Sequence, residues 1–186
     1  MATAQPRPVT VEEFLAINWD DSDMKAELDN GVIRLMAGGS TAHGRVQRNV
    51  LVALDLALRG SGCSPFGSDM GIRTNDIALR YPDVTVLCGK EDRSADRSQS
   101  HDDPRLVVEV LSPSTRDKDH SVKVPEYREI ASLGHILLID PDAGAVRHLS
   151  RTGPRGWNDE MVEPGEAIDL RHLGVTLTWS DIFNRR

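Results

Sequence analysis

The sequence has only two cysteines and no long apolar run. Cys63 and Cys88 stand far apart, and neither belongs to a paired metal-ligand spacing. We therefore interpret both as small buried hydrophobic residues rather than as a disulfide or a metal site. No stretch of about 18 apolar residues is present, which predicts the absence of a transmembrane helix. The first residues contain no apolar segment resembling a signal peptide, and we therefore expect a cytoplasmic protein.

Positive charge is also scarce, because 22 Lys and Arg face 29 Asp and Glu, which gives a net charge of −7. That balance argues against broad electrostatic attachment to nucleic acid, although it allows a local basic groove. No repeat, linker or change of composition divides the 186 residues. The hydrophobic content of 39% is ordinary for a globular protein, and the length suits one domain with a sizeable core.

The apolar pattern predicts a mixture of helices and strands. Thr10-Val-Glu-Glu13 is a capping box that predicts a short helix, Asn30-Gly31 predicts a β-hairpin, and a second helix is predicted from about His43 to Arg59. A helical segment between two buried strands favours a partly parallel central sheet in an α/β protein. Further strands are predicted at 63–68, 70–74, 77–87, 106–111, 135–140 and 146–150, a helical segment within 117–132, a helical turn at 179–183, and an irregular polar loop at 89–103.

Glu109 lies in the middle of the strand predicted to be buried on both faces. A carboxylate there carries a large desolvation cost unless it is paired, protonated or bound to a metal. Asp83 follows Pro82 in the preceding strong strand, so the two carboxylates converge if these strands are neighbours. Such a pair suits a hard divalent cation such as Mg²⁺, and Glu27, in the first arm of the hairpin, is a third candidate for the cluster.

Two further side chains are candidates for the same site. Lys123 shares a predicted helical face with Tyr127 and other apolar residues, which indicates a cation directed toward the sheet. Beside a metal-bound carboxylate pair, such a lysine could position a water or stabilise charge that develops on phosphate. His43 projects close to the apolar stripe of the second helix.

Each candidate also has a simpler interpretation. A buried Glu109 could instead be held by a salt-bridge partner. The others could be a strand-end cap (Asp83), an exposed hairpin residue (Glu27), a solvated helix residue (Lys123), a satisfied histidine at a helix start (His43) and a core residue (Tyr127). The remaining histidines show no ligand spacing and are interpreted as surface or packing residues; they are His101, His120, His135, His148 and His172.

Several separated motifs resemble, in the right order, the Uma-two family of restriction endonucleases, a branch of the PD-(D/E)xK nuclease superfamily. The similarity is strongest over residues 10–150. The motifs are Glu27-Leu-Asp-Asn-Gly31, Met36-Ala-Gly-Gly-Ser-Thr-Ala-His43, Pro82-Asp83-Val, Glu109-Val-Leu-Ser-Pro-Ser-Thr115, Asp117, Lys123 with Tyr127, and Ile139-Asp-Pro141.

The resemblance implies a restriction-endonuclease-like fold, in which helices flank a mixed central sheet and a hairpin precedes it. It also implies a Mg²⁺-dependent phosphodiesterase, with Mn²⁺ as a substitute, that acts on nucleic acid. In that pattern Asp83 is the Asp of the first element and Glu109 is the acidic residue of the second. Both would bind the metal together with the backbone carbonyl of Val110.

The sequence departs from the superfamily pattern at two positions. The lysine expected two places after the acidic residue falls at Leu111, which cannot act as a cation, and Lys123 takes its place in the following helix. Pro125 is poorly tolerated beyond the first turn of a helix. The regular helix therefore either begins at about Pro125, directly after Lys123, or is kinked there.

We therefore expect residues 1–186 to form a single domain with Mg²⁺-dependent endonuclease chemistry. Asp83 and Glu109 would hold the metal, Lys123 would assist, DNA would be the substrate, and a homodimer would be the assembly. The main alternative is a nuclease fold that binds nucleic acid or a protein partner without cleaving. A weaker one is a metal-independent acid/base enzyme that uses the carboxylate pair as glycosidases do.

Overall fold

The computed structural model describes residues 7–17, 25–36, 38–89, 100–113 and 116–183. It is a mixed α/β structure with two large β-sheets and a two-stranded one. Most of the loop predicted at 89–103 lies outside these ranges. The strands are β1 (Ala26–Asp29), β2 (Val32–Leu35), β3 (Cys63–Gly67), β4 (Gly71–Asn75), β5 (Ala78–Arg80), β6 (Val84–Cys88), β7 (Ser100–His101), β8 (Leu106–Val110), β9 (His135–Asp140), β10 (Ala145–Arg151), β11 (Trp157–Val162), β12 (Ile168–Leu170) and β13 (Val175–Leu177). The helices are α1 (Val11–Leu15), α2 (Thr41–Ala57), α3 (Arg116–Lys118), a π-helical turn (Asp119–Lys123), α4 (Val124–Glu129) and α5 (Trp179–Phe183).

The larger sheet has the strand order β11-β10-β9-β8-β6-β3, and the second has the order β2-β1-β5-β4-β7. Strands β8 and β9 run parallel, and the segment from α3 to α4 connects them. A parallel pair needs such a crossover, whereas the consecutive antiparallel strands β9, β10 and β11 are joined by turns. The predicted mixed sheet with flanking helices is therefore present.

Local sequence signals account for the N-terminal elements. Thr10 caps α1 through a complete capping box with Glu13. Asn30 and Gly31 have positive φ values of 49° and 77°, which is the conformation that both central residues of a type I′ hairpin turn require. The hairpin of β1 and β2 forms as predicted.

The strand predicted at 77–87 is divided into β5 and β6 at Tyr81-Pro82-Asp83. Pro82 has no N–H to donate to a strand ladder, and the chain uses this break to change sheets. Strand β5 pairs with β1 and β4 in one sheet, whereas β6 pairs with β3 and β8 in the other. Asp83 therefore lies at the junction of the two sheets.

The larger sheet is buried on both faces. On one face, α2 packs its buried stripe of Val46, Val50 and Leu54, together with Leu58 at its C-cap, against alternate residues of β6 and β8. On the other face, Tyr127 of α4 packs with the remaining residues of those strands. This double cover explains the continuous apolar run of β8. In the described part of the chain, no helix is long and apolar enough to cross a membrane.

The two cysteines correct one interpretation drawn from the sequence. Cys63 and Cys88 are directly opposite each other in the antiparallel pair of β3 and β6, with their Cα atoms 4.0 Å apart, and their sulfur atoms form a disulfide. Both residues are half-buried rather than enclosed in the core. The view of them as separate buried hydrophobic residues is therefore wrong, because the pairing of two strands brings distant positions together.

A chain of histidines links β9, β10 and the turn before β13. The Nε2 atom of His135 accepts a hydrogen bond from the backbone N–H of His172 at 3.3 Å and lies 3.0 Å from the Nδ1 atom of His172. The proton of His135 must then sit on Nδ1, from which it is donated to Nε2 of His148 at 3.0 Å. Burial, and then the neighbouring His148 and His172, lower the pKa of His135 to about 3.

We predict that these three linked histidines make the free energy of unfolding fall as the pH is lowered. Unfolded His135 takes up a proton near pH 6.5, whereas folded His135 stays neutral until about pH 3. Between these values the unfolded state binds more protons, so the free energy of unfolding falls as the pH drops, by up to about 1.4 kcal/mol per pH unit. Chemical denaturation from pH 7.5 to 4.5 should show a smaller slope for His135→Gln than for the wild type. Equal slopes would contradict the prediction.

Candidate active site

Asp83 and Glu109 lie beside each other where β6 begins and β8 ends. Val84 pairs with Val108 in the antiparallel register of β6 and β8, and one further step along this register places Asp83 opposite Glu109. The Val110 N–H also donates to Oδ2 of Asp83 at 2.7 Å, so the carboxylate of Asp83 is fixed at the end of β8.

Glu109 is buried, with 4% of its surface exposed, and two donors hold one of its oxygens. The Tyr127 hydroxyl donates to Oε1 at 2.6 Å, and Nζ of Lys123 lies 3.1 Å from the same oxygen. Within the described ranges, no protein donor contacts Oε2. Burial raises the pKa of Glu109 to about 7, against the opposing effect of Lys123 and with support from the charges of Asp119 and Asp83.

Lys123 reaches Glu109 from the π-helical turn that precedes α4. In this turn the N–H of Val124 donates to the carbonyl of Asp119, so one extra residue is inserted before the regular helix begins. Pro125 then falls within the first turn of α4, where its missing N–H costs no hydrogen bond. The regular helix therefore begins at Val124, directly after Lys123, which agrees with the first of the two alternatives for Pro125.

The side chain of Lys123 is buried and forms ion pairs with two carboxylates. Its Nζ atom lies 3.0 Å from Oδ1 of Asp119 in addition to its contact with Glu109. Burial acts to lower the pKa of Lys123, but Glu109 and Asp119 outweigh it and raise the pKa above its ordinary value. The position that the superfamily assigns to lysine holds Leu111, which is buried in the core.

His43 joins the cluster from the first turn of α2. Its Nε2 atom lies 3.3 Å from Oδ2 of Asp83, and the amide of Gln47, one turn later, donates to the Asp83 carbonyl at 2.9 Å. The hydrogen bond to Asp83 raises the pKa of His43 despite burial, and the charge of Glu109 and the backbone of Val110 add to this effect. His43, Asp83, Glu109 and Val110 are therefore neighbours.

Glu27 lies in a buried ionic network next to this cluster. Its Oε1 atom is paired with Lys118 and lies 3.4 Å from Nη1 of Arg80, whereas its buried Oε2 atom has no hydrogen-bond partner in the described structure. Arg80 is completely buried and also binds Asp29 at 2.6 Å and Glu126 at 2.7 Å. The structure thus places Glu27 among cations, while its charge still acts on Lys123.

Negative charge exceeds positive charge in this connected region. Among the described residues, six carboxylates are joined by ion pairs or direct proximity to four permanent cations and one histidine. The carboxylates are Glu27, Asp29, Asp83, Glu109, Asp119 and Glu126, and the cations are Arg34, Arg80, Lys118 and Lys123. The excess disfavours ionisation of the buried Glu109, which is a reason for its raised pKa.

Comparison with known proteins assigns the family. A family model named Uma2, described as "Putative restriction endonuclease", matches residues 11–180. The chain belongs to the Uma2 family. Among curated proteins, this Uma2 protein is 33% identical over 159 residues to "Uncharacterized protein sll1609" of Synechocystis sp., covering 84% of this chain and 89% of the relative. It is 28% identical over 174 residues to "Uncharacterized protein slr1290" of the same organism, covering 92% and 90%.

A solved structure supports the fold. The Uma2 protein is similar to the crystal structure of "a putative nuclease belonging to DUF820" from Anabaena variabilis, with a TM-score of 0.75 over 95% of this chain and 98% of that chain. The sequence identity is 18%, so this likeness establishes the fold alone. The predicted restriction-endonuclease-like α/β fold is therefore confirmed.

Sequence reasoning missed several residues that hold the site together. The sequence indicates a core residue at Tyr127, but its hydroxyl also donates a hydrogen bond to Glu109. The sequence assigns no role to three further residues. Arg80 contacts Glu27, Asp119 contacts Lys123, and Gln47 donates a hydrogen bond to the backbone carbonyl of Asp83. The signal that could have found Arg80 is an arginine within a short apolar strand, because a buried guanidinium requires carboxylate partners.

We predict that Tyr127→Phe destabilises the protein by about 1–3 kcal/mol, because it removes a donor from a buried carboxylate. Denaturant unfolding measures this loss. Tyr81→Phe is the matched control, since no hydrogen bond of the Tyr81 hydroxyl is formed within the described ranges, and it should change stability by less than about 0.5 kcal/mol.

The cost of Tyr127→Phe should shrink in a Glu109→Gln background, because the two side chains interact directly. Additive losses in the double variant would contradict the assignment of Tyr127 as the partner of Glu109.

Proposed function

We propose that this Uma2 protein is a divalent-metal-dependent endonuclease that hydrolyses phosphodiester bonds of nucleic acid. The observation that carries the proposal is the half-buried Asp83 beside the buried Glu109, with Lys123 at 3.1 Å from Glu109. The family description supports the same chemistry. The proposal includes DNA as the substrate and a homodimer as the assembly.

The donor set suits Mg²⁺. In the described ranges no three His, Cys, Asp or Glu side chains form a metal-binding group, which disfavours a cage made of side chains alone. Mg²⁺ is ordinarily held by one or two carboxylates together with other oxygens and water. Asp83, Glu109 and the carbonyl of Val110 would supply such a set of oxygen ligands.

A divalent cation also suits the electrostatics. It would offset the excess of carboxylates around Glu109 and favour the ionised form of that residue. The buried Oε2 atom of Glu27, which lacks a hydrogen-bond partner in the described structure, supports a role for Glu27 at the edge of the same site, through a bound water. When bound, Mg²⁺ would supply Lewis acidity and lower the pKa of its water.

The remaining residues would orient the reactants and carry protons. Tyr127 and Lys123 fix Oε1 of Glu109, and the ammonium group of Lys123 would stabilise negative charge that develops on the phosphate. His43, whose pKa is raised by Asp83, would hold a proton on Nε2 beside the site. Gln47 would keep Asp83 at the junction of the sheets through its backbone carbonyl.

The second candidate is a nuclease fold that binds without cleaving. Two observations favour it: the net charge of −7, and the commitment of Lys123 to two carboxylates, which reduces its freedom to contact a phosphate. Cleavage and binding must therefore be measured separately.

We predict that Mg²⁺ or Mn²⁺ raises the thermal midpoint, because a ligand that binds only the folded state stabilises it. At a free metal concentration of about 100 times Kd, the free energy of unfolding rises by about 2.7 kcal/mol. Asp83→Asn should reduce the shift, whereas the same substitution at Asp55, an exposed residue of α2, should leave it unchanged. A full shift in Asp83→Asn would place the metal elsewhere.

We further predict that Lys123→Ala and Glu109→Gln lower cleavage by about 10²–10³-fold or more, because Lys123 would act on the charge of the transition state and Glu109 on the metal. Single-turnover cleavage of supercoiled plasmid, linear duplex and single strands, with Mg²⁺, Mn²⁺ or EDTA, measures the loss. Arg59→Ala, which changes an exposed cation directly after the C-cap of α2, is the control and should cleave normally.

Equilibrium binding with Ca²⁺ completes this experiment. Binding should persist in Lys123→Ala if the lysine acts mainly on the transition state. A wild-type protein that binds nucleic acid but cleaves no substrate of the panel would overturn the proposed function in favour of the binding module.

A further inference from the structure

A small cavity opens beside the chain segment that carries Asp83. Its volume is about 180 Å³, and it lies between α1, the start of β1, the end of β2 and the turn after β3. The residues that line it include Phe14, Lys25, Met36, Ser68, Asp69 and Tyr81. Pockets for drug-sized ligands measure about 300–1,000 Å³, so this cavity suits a single ring system rather than a larger ligand.

The cavity combines aromatic walls with a polar rim. Phe14 is 2% exposed and therefore belongs to the packed floor, while Tyr81 is half-buried and packs against the same α1 cluster. At the rim, Lys25 and Asp69 form an ion pair at 2.5 Å, with 60% and 88% of their side chains exposed. An exposed pair of this kind costs little to separate, so both groups are available to the edge of a ligand.

The position of Tyr81 connects the cavity to the candidate active site. Tyr81 precedes Asp83 by two residues, and two residues of extended chain span at most about 7 Å. Arg80, between Leu79 and Tyr81, is directed toward Glu27, Asp29 and Glu126, whereas Leu79 and Tyr81 pack with the α1 cluster. The cavity and the carboxylates thus share one short stretch of backbone.

We propose that this cavity binds one unstacked nucleobase of a single-stranded segment, next to a phosphate held near Asp83. The proposal rests on the proposed function, and it names the substrate class of that site. Aromatic side chains bind bases of single strands by stacking, and polar groups at the ring edge supply hydrogen bonds. Tyr81 provides the aromatic face above the packed floor at Phe14, and Lys25, Ser68 and Asp69 provide the polar edge.

The recessed site favours the same substrate class. The side chains of Asp83 and Glu109 are 15% and 5% exposed, so a phosphate must enter between the surrounding elements to reach them. Bases inside a duplex cannot enter a pocket, and enzymes that bind a base in one act on single strands or extrude the nucleotide at an energetic cost. A strand that is already unpaired avoids this cost.

The test measures binding without cleavage, so that it is independent of the reaction. The probes are short single strands with one 2-aminopurine, matched strands with an abasic position in its place, and the corresponding duplex, each in deoxy and ribo forms, with Ca²⁺ as the only divalent cation. Wild-type protein should bind the base-containing strand roughly 10-fold or more tightly than the abasic strand and change the 2-aminopurine fluorescence. The duplex should bind more weakly.

Tyr81→Leu should weaken binding of the base-containing strand by roughly 5- to 100-fold, since it removes a stacking surface, and should leave the abasic strand unaffected. Tyr81→Phe, which retains the ring, should bind like the wild type. Phe183→Leu is the control, because Phe183 lines a second cavity, on α5, that supplies no residue of the carboxylate cluster. It should also bind like the wild type.

Equal binding of the base-containing and abasic strands by the wild type, or wild-type binding by Tyr81→Leu, would overturn the proposal. Preferred binding of the duplex would overturn the single-stranded substrate class. If the base-dependent binding is found and no cleavage occurs with Mg²⁺ or Mn²⁺, the endonuclease function fails while the base site stands. The deoxy and ribo probes separate DNA from RNA as the source of the base.

Discussion

The burial of Glu109 in β8 imposes a requirement on the elements around it. The strand is covered on both faces, so a carboxylate at its centre cannot be solvated by water and must be compensated by neighbouring groups. Tyr127 and Lys123 meet part of this requirement, and both come from the crossover that joins β8 to β9. The π-helical turn places Lys123 at Glu109 before the regular helix begins with Tyr127 on its buried side.

A second buried charge connects this centre to the N-terminal hairpin. Arg80 has no exposed surface and binds carboxylates from β1 and α4 at the same time. Removal of one partner of such a network is costly because the remaining charges stay buried. The hairpin, β5 and α4 are thereby held in one arrangement, and α4 carries Tyr127 while β5 leads directly to Asp83.

Membership of the Uma2 family and the shared fold make a nuclease the natural context for this cluster. Fold alone does not decide function, which depends on the site. Here the site offers carboxylate oxygens, a buried lysine, a histidine whose pKa is raised, and an excess of negative charge that a divalent cation would offset. The protein is acidic overall, so a substrate would be recognised by local contacts, such as the aromatic cavity beside Tyr81, rather than by a general positive field.

The sequence by itself determined the features that depend on neighbouring residues. The capping box at Thr10, the Asn30-Gly31 turn and the buried strand around Glu109 could be predicted because local backbone preferences and burial leave a periodic trace in the sequence. Asp83 and Lys123 could be proposed from the strand order and the helical face, and the family motifs supported them. Their arrangement around Glu109 could not be read from the sequence.

Only the tertiary structure decided which distant residues meet. The Cys63–Cys88 disulfide depends on the pairing of β3 with β6, the partners of Arg80 come from β1 and α4, and the histidine chain joins three separate segments. No local pattern encodes these contacts, because they follow from strand order, register and the direction of the crossover. The hydroxyl of Tyr127 shows the same limit: its residue type and spacing predicted burial, but its hydrogen bond to Glu109 exists only because α4 packs against β8.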